Sequence, residues 1–205
     1  MPSQKSNSNP AEPARAPKRE RGHLRVAAIL DAGAEVFAEK GYQAATMTEI
    51  AARADTAIGS LYRFFPSKEV LADALLDRYA QQVVAALTEL RERAAGMDSA
   101  TLAERLVQFM LALQDKRQFV LVILDAREGS RRLAFRAAMR DGMANVLLTA
   151  MPALMPDKAE AMTPVLIAVL KNVTTLAFAE SDAGQSYLAE LHDMLRAYLQ
   201  QAARA

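Results

Sequence analysis

The sequence predicts an all-α protein, and three observations support this fold class. Helix-forming residues, chiefly Ala, Leu, Met, Glu, Gln and Arg, dominate the composition. Glycine and proline, which interrupt helices, are sparse outside the N-terminal tail. No segment shows the alternation of a β-strand, apart from an ambiguous apolar run at 119–124. We therefore expect about nine helices along the chain.

The first 22 residues differ in composition from the rest of the chain. Proline, serine, asparagine, lysine and arginine dominate this segment, which predicts disorder. Six basic and two acidic side chains give residues 1–25 a charge of +4, so the remaining residues sum to −3 of the overall +1. A basic arm on a slightly acidic body is typical of proteins that bind a polyanion. A solvated tail without function is the alternative.

The next segment, residues 23–66, shows the pattern of three short helices. The first is predicted from His23 to Lys40, because apolar residues recur on one face and Gly41 can cap its end. Gly33 falls on that apolar face, where a glycine either permits a close helix contact or is merely tolerated. Asp31, Glu35 and Glu39 lie on the opposite face.

Two further helices follow a recognisable capping sequence. Thr46 and Glu49 form a T-x-x-E capping box, which predicts the start of the second helix. Residues 55–56 interrupt the pattern, and a third helix is predicted from Ala57 with Leu61 on its inner face. Two short helices joined by a tight turn form a helix-turn-helix, whose second helix enters the DNA major groove.

The segment 24–71 resembles the DNA-binding domain of the TetR family of transcriptional repressors. The resemblance rests on three stretches: FAEKGY at 37–42, TMTEIA at 46–51 and GSLYRFFPSKE at 59–69. The family usually carries glycine where this chain has Asp55, and often a hydroxyl residue where it has Ala57. Because aspartate tolerates left-handed backbone, we expect an intact turn. Ala57 cannot cap the third helix with a hydroxyl. Thr56 is the alternative N-cap, if the helix begins one residue earlier.

The resemblance implies a set of DNA contacts. Tyr62 would donate its hydroxyl to a phosphate, Lys68 would pair with another phosphate at the start of the fourth helix, and Thr46 would add a third contact. The alternatives without DNA contact are a half-buried Tyr62, a solvated Lys68 and a Thr46 that only caps the second helix. The candidate DNA-binding residues are Thr46, Thr56, Ala57, Ile58, Gly59, Ser60, Tyr62 and Lys68, together with Lys18, Arg19, Arg21 and Arg25 of the basic arm.

Residues 67–205 are predicted to form a helical effector-binding and dimerisation domain. Ser67 is a candidate N-cap for a long helix that reaches about Ala95 and ends at Gly96. Shorter helices are expected at 99–115, 117–127 and 131–151. Another is expected at 157–180, kinked or restarted at Pro164, and a last helix follows a turn at 182–184.

Two sites are expected in this domain. The resemblance implies a homodimer formed through the last two helices. Packing of some residues of these helices within the subunit is the alternative. The candidate interface residues are Val169, Leu170, Val173, Leu176, Leu188, Leu191, Leu195 and Tyr198. Adaptable apolar side chains suggest an effector pocket, with a filled core as the alternative. The candidate pocket residues are Met110, Leu113, Phe119, Leu121, Phe135, Met139 and Met143, with Arg127, Arg136, Asn145, Lys171 and Asn172 as polar anchors.

Catalysis has no support in the sequence. The chain has two histidines, His23 and His192, and neither belongs to a recognisable motif. It lacks cysteine, which excludes disulfides and thiolate metal sites and suits a reducing compartment. The longest uninterrupted apolar runs, 150–156 and 164–170, are far shorter than the roughly twenty residues that cross a bilayer. We expect a cytoplasmic protein that is not an enzyme and has no metal, cofactor or membrane partner.

The expected function is a ligand-responsive repressor. A small, fairly hydrophobic effector would release the homodimer from a palindromic double-stranded DNA operator. One alternative is a DNA-binding regulator without a small-molecule effector, which a pocket closed by packed side chains would favour. A helical-bundle enzyme or scaffold is the other alternative, and the absence of salt-sensitive DNA binding would favour it.

Overall fold

The computed structural model describes residues 20–113, 120, 122–123, 130–173 and 183–204. This part of the chain contains no strand, so the predicted all-α class is confirmed. Its eight helices are α1 (Glu20–Ala44), α2 (Met47–Arg53), α3 (Ile58–Phe64), α4 (Lys68–Ala94), α5 (Ser99–Ala112), α6 (Ser130–Ala150), α7 (Pro156–Leu170) and α8 (Ala183–Ala202). Most of the helix predicted at 117–127 and residues 174–180 lie outside the described residues.

The chain divides into two compact units. Unit 1 contains residues 1–78 and 119–128, and unit 2 contains residues 79–118 and 129–205. Helix α4 therefore begins in unit 1 and continues into unit 2. The predicted domain boundary after residue 66 stays a prediction.

Unit 1 is built around the apolar faces of α1 to α4. Ile29, Phe37, Ile50, Leu61 and Leu71 are each 0% exposed. Removing such side chains from water stabilises the unit by about 1.5–3 kcal/mol each. Burial on shared apolar faces explains why α2 and α3, seven residues each and too short to be stable alone, fold together with α1 and the start of α4.

Gly33 lies at the tightest contact between α1 and α4. A Cβ atom at this position would be 3.2 Å from Cδ2 of Leu71 and 3.5 Å from Cδ1 of Leu75. The first of the two interpretations of Gly33 is therefore correct, because the missing side chain permits the close approach. An ion pair between Arg78 and Asp31, 2.9 Å from Nη2 to Oδ1, links the same two helices three turns into α4.

Unit 2 is held by packing between long helices. Helix α5 packs against α8 and α7, and α6 packs against α7. Leu106, Met143, Leu147 and Leu170 are fully buried among these helices. Asp98 caps α5, since its Oδ1 accepts a hydrogen bond of 2.7 Å from the Thr101 N–H, and the same bond lowers the Asp98 pKa.

The structure corrects two sequence expectations about unit 2. Helix α7 continues through Pro164, so the expected restart is wrong, while the alternative of a kink stays a prediction. The buried Thr163 hydroxyl donates to the Ala159 carbonyl at 2.9 Å. The predicted turn at 182–184 is wrong for Ala183 and Gly184, which belong to α8. Gly184 is buried, so packing offsets a helix-propensity cost of about 1 kcal/mol. Among the described helices, none combines the length and the apolar character that crossing a bilayer requires.

Candidate nucleic-acid interface

Helix α2 begins at the predicted capping box. The Thr46 hydroxyl accepts from the Glu49 N–H at 3.3 Å, and Glu49 Oε2 accepts from the Thr46 N–H at 3.1 Å. Hydrogen bonds from Lys40 and then from Thr46 lower the pKa of Glu49 from 4.5 to about 2. The capping role of Thr46 is therefore confirmed, while its predicted phosphate contact stays a prediction.

The turn between α2 and α3 is intact. Asp55 adopts a φ of 46°, in the left-handed region that glycine usually occupies, and the Thr56 N–H closes the turn on the Ala51 carbonyl at 3.0 Å. The Thr56 hydroxyl donates back to the Ala54 carbonyl at 3.1 Å, so it does not cap α3. Ala57 is the N-cap and provides no side-chain bond. Aspartate thus replaces the expected glycine, and α3 begins without a hydroxyl cap.

Helix α3 has one exposed face and one buried face. Ile58 is 40% exposed and Tyr62 is 48% exposed, whereas Leu61 is fully buried and Phe64 nearly so. A Cβ atom at Gly59 would meet nothing within 4 Å. Ile58 and Tyr62 lie one turn apart, with the exposed Ala57 and Gly59 beside them. We call Ala57, Ile58, Gly59 and Tyr62 the outer face of α3. The exposure of Tyr62 is compatible with the predicted phosphate contact, which stays a prediction.

Ser60 does not belong to the outer face, contrary to the sequence prediction. Its hydroxyl oxygen is buried and finds no hydrogen-bond partner in the described part of the chain. The helical period explains this placement, because Ser60 shares a side of α3 with Phe64, four residues later. The hydroxyl therefore faces the interior and not the surface on which a groove contact would form.

The Lys68 ammonium is bound within the protein, which the sequence did not predict. Its Nζ donates to three backbone carbonyls, those of Tyr42 at 2.8 Å, Gln43 at 3.0 Å and Ala45 at 3.0 Å. An ammonium group has three N–H donors, so all three are used within the protein. The same Nζ lies 4.8 Å from the centre of the Tyr42 ring. The Lys68 side chain therefore makes a structural contact within the protein, and its expected ion pair with a DNA phosphate stays a prediction.

A polar network that the sequence did not predict joins α1 to α2. Arg53 donates to Glu39 through both terminal nitrogens at 2.8 Å and to Glu35 at 3.1 Å. These bonds lower the pKa of Glu39 and raise that of Arg53. The available signal was the spacing of Asp31, Glu35 and Glu39, which places three carboxylates along one side of α1.

The basic arm is described only in part. Arg21 and Arg25 are exposed in the first turns of α1, whereas Lys18 and Arg19 lie outside the described residues. Arg63, on α3, is exposed and lies 5.0 Å from the Phe64 ring. The exposed cations therefore include two at the start of α1 and one beside the outer face of α3.

The candidate pocket residues of unit 2 belong mainly to its core. Met110, Leu113 and Met143 are buried, Phe135 packs on Tyr79 with ring centres 5.6 Å apart, and Met139 is half-buried. Phe119 and Leu121, like Arg127, lie outside the described residues. None of the five described candidates lines either of the two cavities described in unit 2. Met110, Leu113 and Met143 are buried residues of unit 2, and their place in an effector pocket stays a prediction.

One cavity in unit 2 has a mixed lining. It has a volume of about 260 Å³ and lies between α4 and α6. Arg91, Asp141 and Asn145 are exposed at this cavity, and Arg91 and Asp141 form no ion pair in the described part of the chain. Its other lining residues are Val84, Leu87, Thr88, Ala138 and Gly142. Of the expected polar anchors, Asn145 reaches this cavity, while Arg136, Lys171 and Asn172 are exposed elsewhere.

The candidate interface residues divide into two groups. Leu170, Val173, Leu191 and Leu195 are buried within the subunit, where α8 packs against α5. Val169, Leu188 and Tyr198 are half-buried, and Leu176 lies outside the described residues. The sequence missed three exposed apolar residues on these helices: Val165, Tyr187 and Met194, each 49% exposed.

Comparison with known proteins identifies the N-terminal unit. Residues 29–75 match the family model of bacterial regulatory proteins of the tetR family. The HTH-type transcriptional repressor KstR of Mycolicibacterium smegmatis is 44% identical over 55 residues, 27% of each chain. The A-factor receptor protein of Streptomyces griseus is also 44% identical over 55 residues, 27% of this chain and 20% of the receptor. The chain spans between 23% and 38% of the length of the KstR and KstR2 repressors that it matches.

Solved structures extend the likeness of fold to most of the chain. A TetR-family transcriptional regulator from Streptomyces coelicolor is 28% identical with a TM-score of 0.56, covering 87% of this chain and 99% of that one. GusR of Salmonella enterica is 20% identical with a TM-score of 0.65, covering 92% and 99%. The helix-turn-helix segment is therefore that of the TetR family of bacterial regulatory proteins, and the likeness of fold to TetR-family regulators extends over most of the chain.

Proposed function

We propose that this protein is a homodimeric DNA-binding transcriptional repressor controlled by a small effector. The observation that carries the proposal is the outer face of α3, where Ile58 and Tyr62 remain exposed although Leu61 and Phe64 anchor the same helix in the core. Exposing two large side chains on a seven-residue helix leaves apolar surface in water. A duplex groove provides a partner for that surface.

The chemistry of the outer face suits groove binding. Ile58 provides an apolar contact for a thymine methyl, and Gly59 has open space where the backbone approaches the bases. Tyr62 provides an unengaged hydroxyl for a phosphate. Arg21 and Arg25, with the basic tail before them, supply cations for the backbone or the adjacent minor groove. Neutralising several phosphates makes affinity fall steeply with salt.

A substitution on the outer face tests this proposal. In vitro selection from a random duplex pool with the full chain should first yield a palindromic site. Ile58→Glu should then abolish binding to that site, because it places a carboxylate against the phosphates without disturbing the core. Leu133→Glu is the matched control, since Leu133 is 68% exposed on α6. Fluorescence anisotropy at several salt concentrations measures both variants. Retained binding by Ile58→Glu would contradict the proposal.

The dimer is proposed to form through exposed apolar residues of α7 and α8. Val165, Tyr187 and Met194 support it, with Leu188 and Tyr198 half-buried on α8. Two helices from each subunit would form a four-helix bundle and place two heads on a palindrome. Met194→Asp should produce monomers in sedimentation velocity. A wild-type protein that sediments as a monomer at micromolar concentration would contradict the dimer.

The effector is proposed to bind unit 2, where the cavity between α4 and α6 provides space. Leu87 and Ala138 contribute apolar surface to this cavity. Arg91 and Asp141 add charges that form no ion pair in the described part of the chain. An effector with an apolar body and a polar group fits this lining. Binding would favour a state in which α4 moves and the heads leave operator spacing, through a coupling of about 1–3 kcal/mol. Arg91→Ala should weaken a screened effector, and Arg93→Ala, which removes only a surface pair with Glu89, is the control.

A second candidate is a DNA-binding regulator without a small-molecule effector. The burial of Met110, Leu113 and Met143 supports it, because a filled core at these residues is the alternative to an effector pocket. A thermal-shift screen of apolar and amphipathic compounds separates the two candidates. An effector should raise Tm and also lower operator affinity. A ligand that shifts Tm alone does not distinguish the two DNA states and would favour the second candidate.

A further inference from the structure

The ammonium of Lys68 occupies the carbonyl end of α1. Gly41, whose φ of 78° and ψ of 161° lie outside the helical region, interrupts α1, and residues 42–44 form the last turn of the helix beyond this break. The last carbonyls of a helix lack intrahelical partners and carry partial negative charge. Lys68 Nζ lies within 3.0 Å of the carbonyl oxygens of Tyr42, Gln43 and Ala45, which follow this break. A side chain from α4 thus satisfies backbone groups that α1 leaves open.

Tyr42 strengthens the same contact. Its ring is 6% exposed, lies beneath the Lys68 ammonium at 4.8 Å, and carries a hydroxyl that donates to Glu69 Oε1 at 3.2 Å. A cation against an aromatic face is more strongly held when both groups are partly removed from water. Lys68 and Glu69, the first two residues of α4, therefore both bind Tyr42.

The attachment continues along the first three turns of α4. Leu71 and Leu75 pack at Gly33, and Arg78 pairs with Asp31 at 2.9 Å. We call this line of contacts, from Lys68 to Arg78, the α1–α4 seam. It ends at the residue where unit 1 gives way to unit 2 along α4. The start of α4 is thereby joined to the helix-turn-helix unit by polar contacts at both ends and by apolar packing between them.

The backbone that Lys68 binds leads directly into the helix-turn-helix. Residues 42–45 connect Gly41 to Thr46, which is the N-cap of α2 and the hydrogen-bond partner of Glu49. A shift of this connector would move the start of α2, and α3 would follow through the turn at Asp55. The position of the outer face relative to the start of α4 therefore depends on where Lys68 holds residues 42–45.

We propose that Lys68 is a positioning residue for DNA binding, which acts through the backbone of residues 42–45 and makes no contact with DNA. This inference rests on the proposed function. Without the ammonium, residues 42–45 have several positions. The helix-turn-helix units of the dimer are then less often in the arrangement that binds DNA. A competent fraction of about one tenth would weaken apparent affinity about tenfold.

Two variants separate positioning from a phosphate contact. Lys68→Met keeps the aliphatic stem and removes the charge. Lys68→Arg keeps the charge, which suffices for a phosphate, but a planar guanidinium cannot direct three N–H groups at the same carbonyl cluster. Positioning predicts about tenfold weaker binding for both variants. A direct phosphate contact predicts that Lys68→Arg retains wild-type affinity. Lys158→Met, an exposed lysine on α7 in unit 2, is the control for the change in net charge.

The experiment uses the full chain and a duplex recovered by in vitro selection. The slope of log K against log salt should stay at the wild-type value in Lys68→Met, whereas a lost phosphate contact lowers it by about 0.9. Hydrogen exchange should quicken in residues 42–49 at a temperature where circular dichroism shows both variants folded. A mere loss of stability would not change the affinity of the folded protein.

Each outcome decides the proposal. Weaker binding by both variants, an unchanged salt slope and faster exchange at 42–49 support positioning. A reduced slope, or wild-type affinity in Lys68→Arg, overturns it. If Lys68→Met does not fold, the arginine variant alone decides the question. If the wild-type chain shows no salt-dependent binding to any duplex, the proposed function itself fails, which is a different result from either.

Discussion

The helices inside unit 1 and the helices inside unit 2 are joined by different kinds of contact. In unit 1, polar side chains join helices at their ends: Glu49 at the start of α2, Arg53 between α2 and α1, and Lys68 between α4 and α1. In unit 2, apolar surfaces of α5, α6, α7 and α8 do most of this work. Short helices have many ends and little surface, whereas long helices have few ends and much surface. Both units have a buried apolar core, and in the described part of unit 1 polar contacts at helix ends are added to it.

The largest effect is expected from a cavity in unit 2. Leu106 is fully buried on α5, so Leu106→Ala should lower the free energy of unfolding by about 2–5 kcal/mol. Urea denaturation followed by circular dichroism measures the loss. Arg105→Ala, at an exposed neighbour on the same helix, should change stability far less. Equal losses in both variants would contradict the view that burial holds unit 2 together.

Gly142 provides a smaller test of the same packing. A Cβ atom there would lie 2.7 Å from Cδ1 and 3.3 Å from Cβ of Leu87, so Gly142→Ala should cost about 1–3 kcal/mol. At Gly59, on the outer face of α3, a Cβ meets nothing, and Gly59→Ala should stabilise the helix by about 0.5–1 kcal/mol while weakening DNA binding. Thermal unfolding and anisotropy measure the pair. Opposite signs of the stability change are the expected result.

Capping in unit 1 should have a measurable but smaller effect. Thr46→Ala removes the hydroxyl that accepts from the Glu49 N–H and should cost about 1 kcal/mol. Thr46→Ser keeps the hydroxyl and should restore most of the loss. Chemical denaturation of both variants checks the difference. If alanine and serine behave alike, the capping box does not stabilise α2.

Acid should weaken the same capping box. The folded pKa of Glu49 is about 2, below its ordinary value of 4.5, so ionised Glu49 stabilises the fold above pH 4.5. This contribution falls as the pH drops from 4.5 and is lost below about 2. Glu49→Gln, which can still accept the capping bond, should reduce the fall in Tm across that window. An identical fall in both proteins would show that Glu49 does not contribute.

Local patterns in the sequence predicted unit 1 well. The start of α2 at Thr46, the interruption of α1 at Gly41 and the turn at Asp55 all agree with the structure. Each depends on interactions within about four residues, which a single sequence displays directly. The exposed Ile58 and Tyr62 agree for the same reason, since helical spacing from the buried Leu61 sets which side faces outward.

Contacts between distant residues were the ones that the sequence predicted poorly. Leu191 and Leu195 were expected at a dimer interface, but α5 covers them. Met110 and Met143 were expected at a pocket; both are buried, and their part in a pocket stays a prediction. An apolar stripe shows that a helix buries one face, and it contains no information about which helix lies against that face.

The sequence by itself determined the fold class, the start of α2, the turn before α3 and the family resemblance, because helix periodicity, caps and turns act over a few neighbouring residues. Only the tertiary structure decided how each side chain is used. Lys68 shows the difference most clearly: its place at the first turn of α4 was evident from the sequence, but the carbonyls that bind its ammonium lie 23 to 26 residues earlier. Folding alone brings those residues within hydrogen-bond distance.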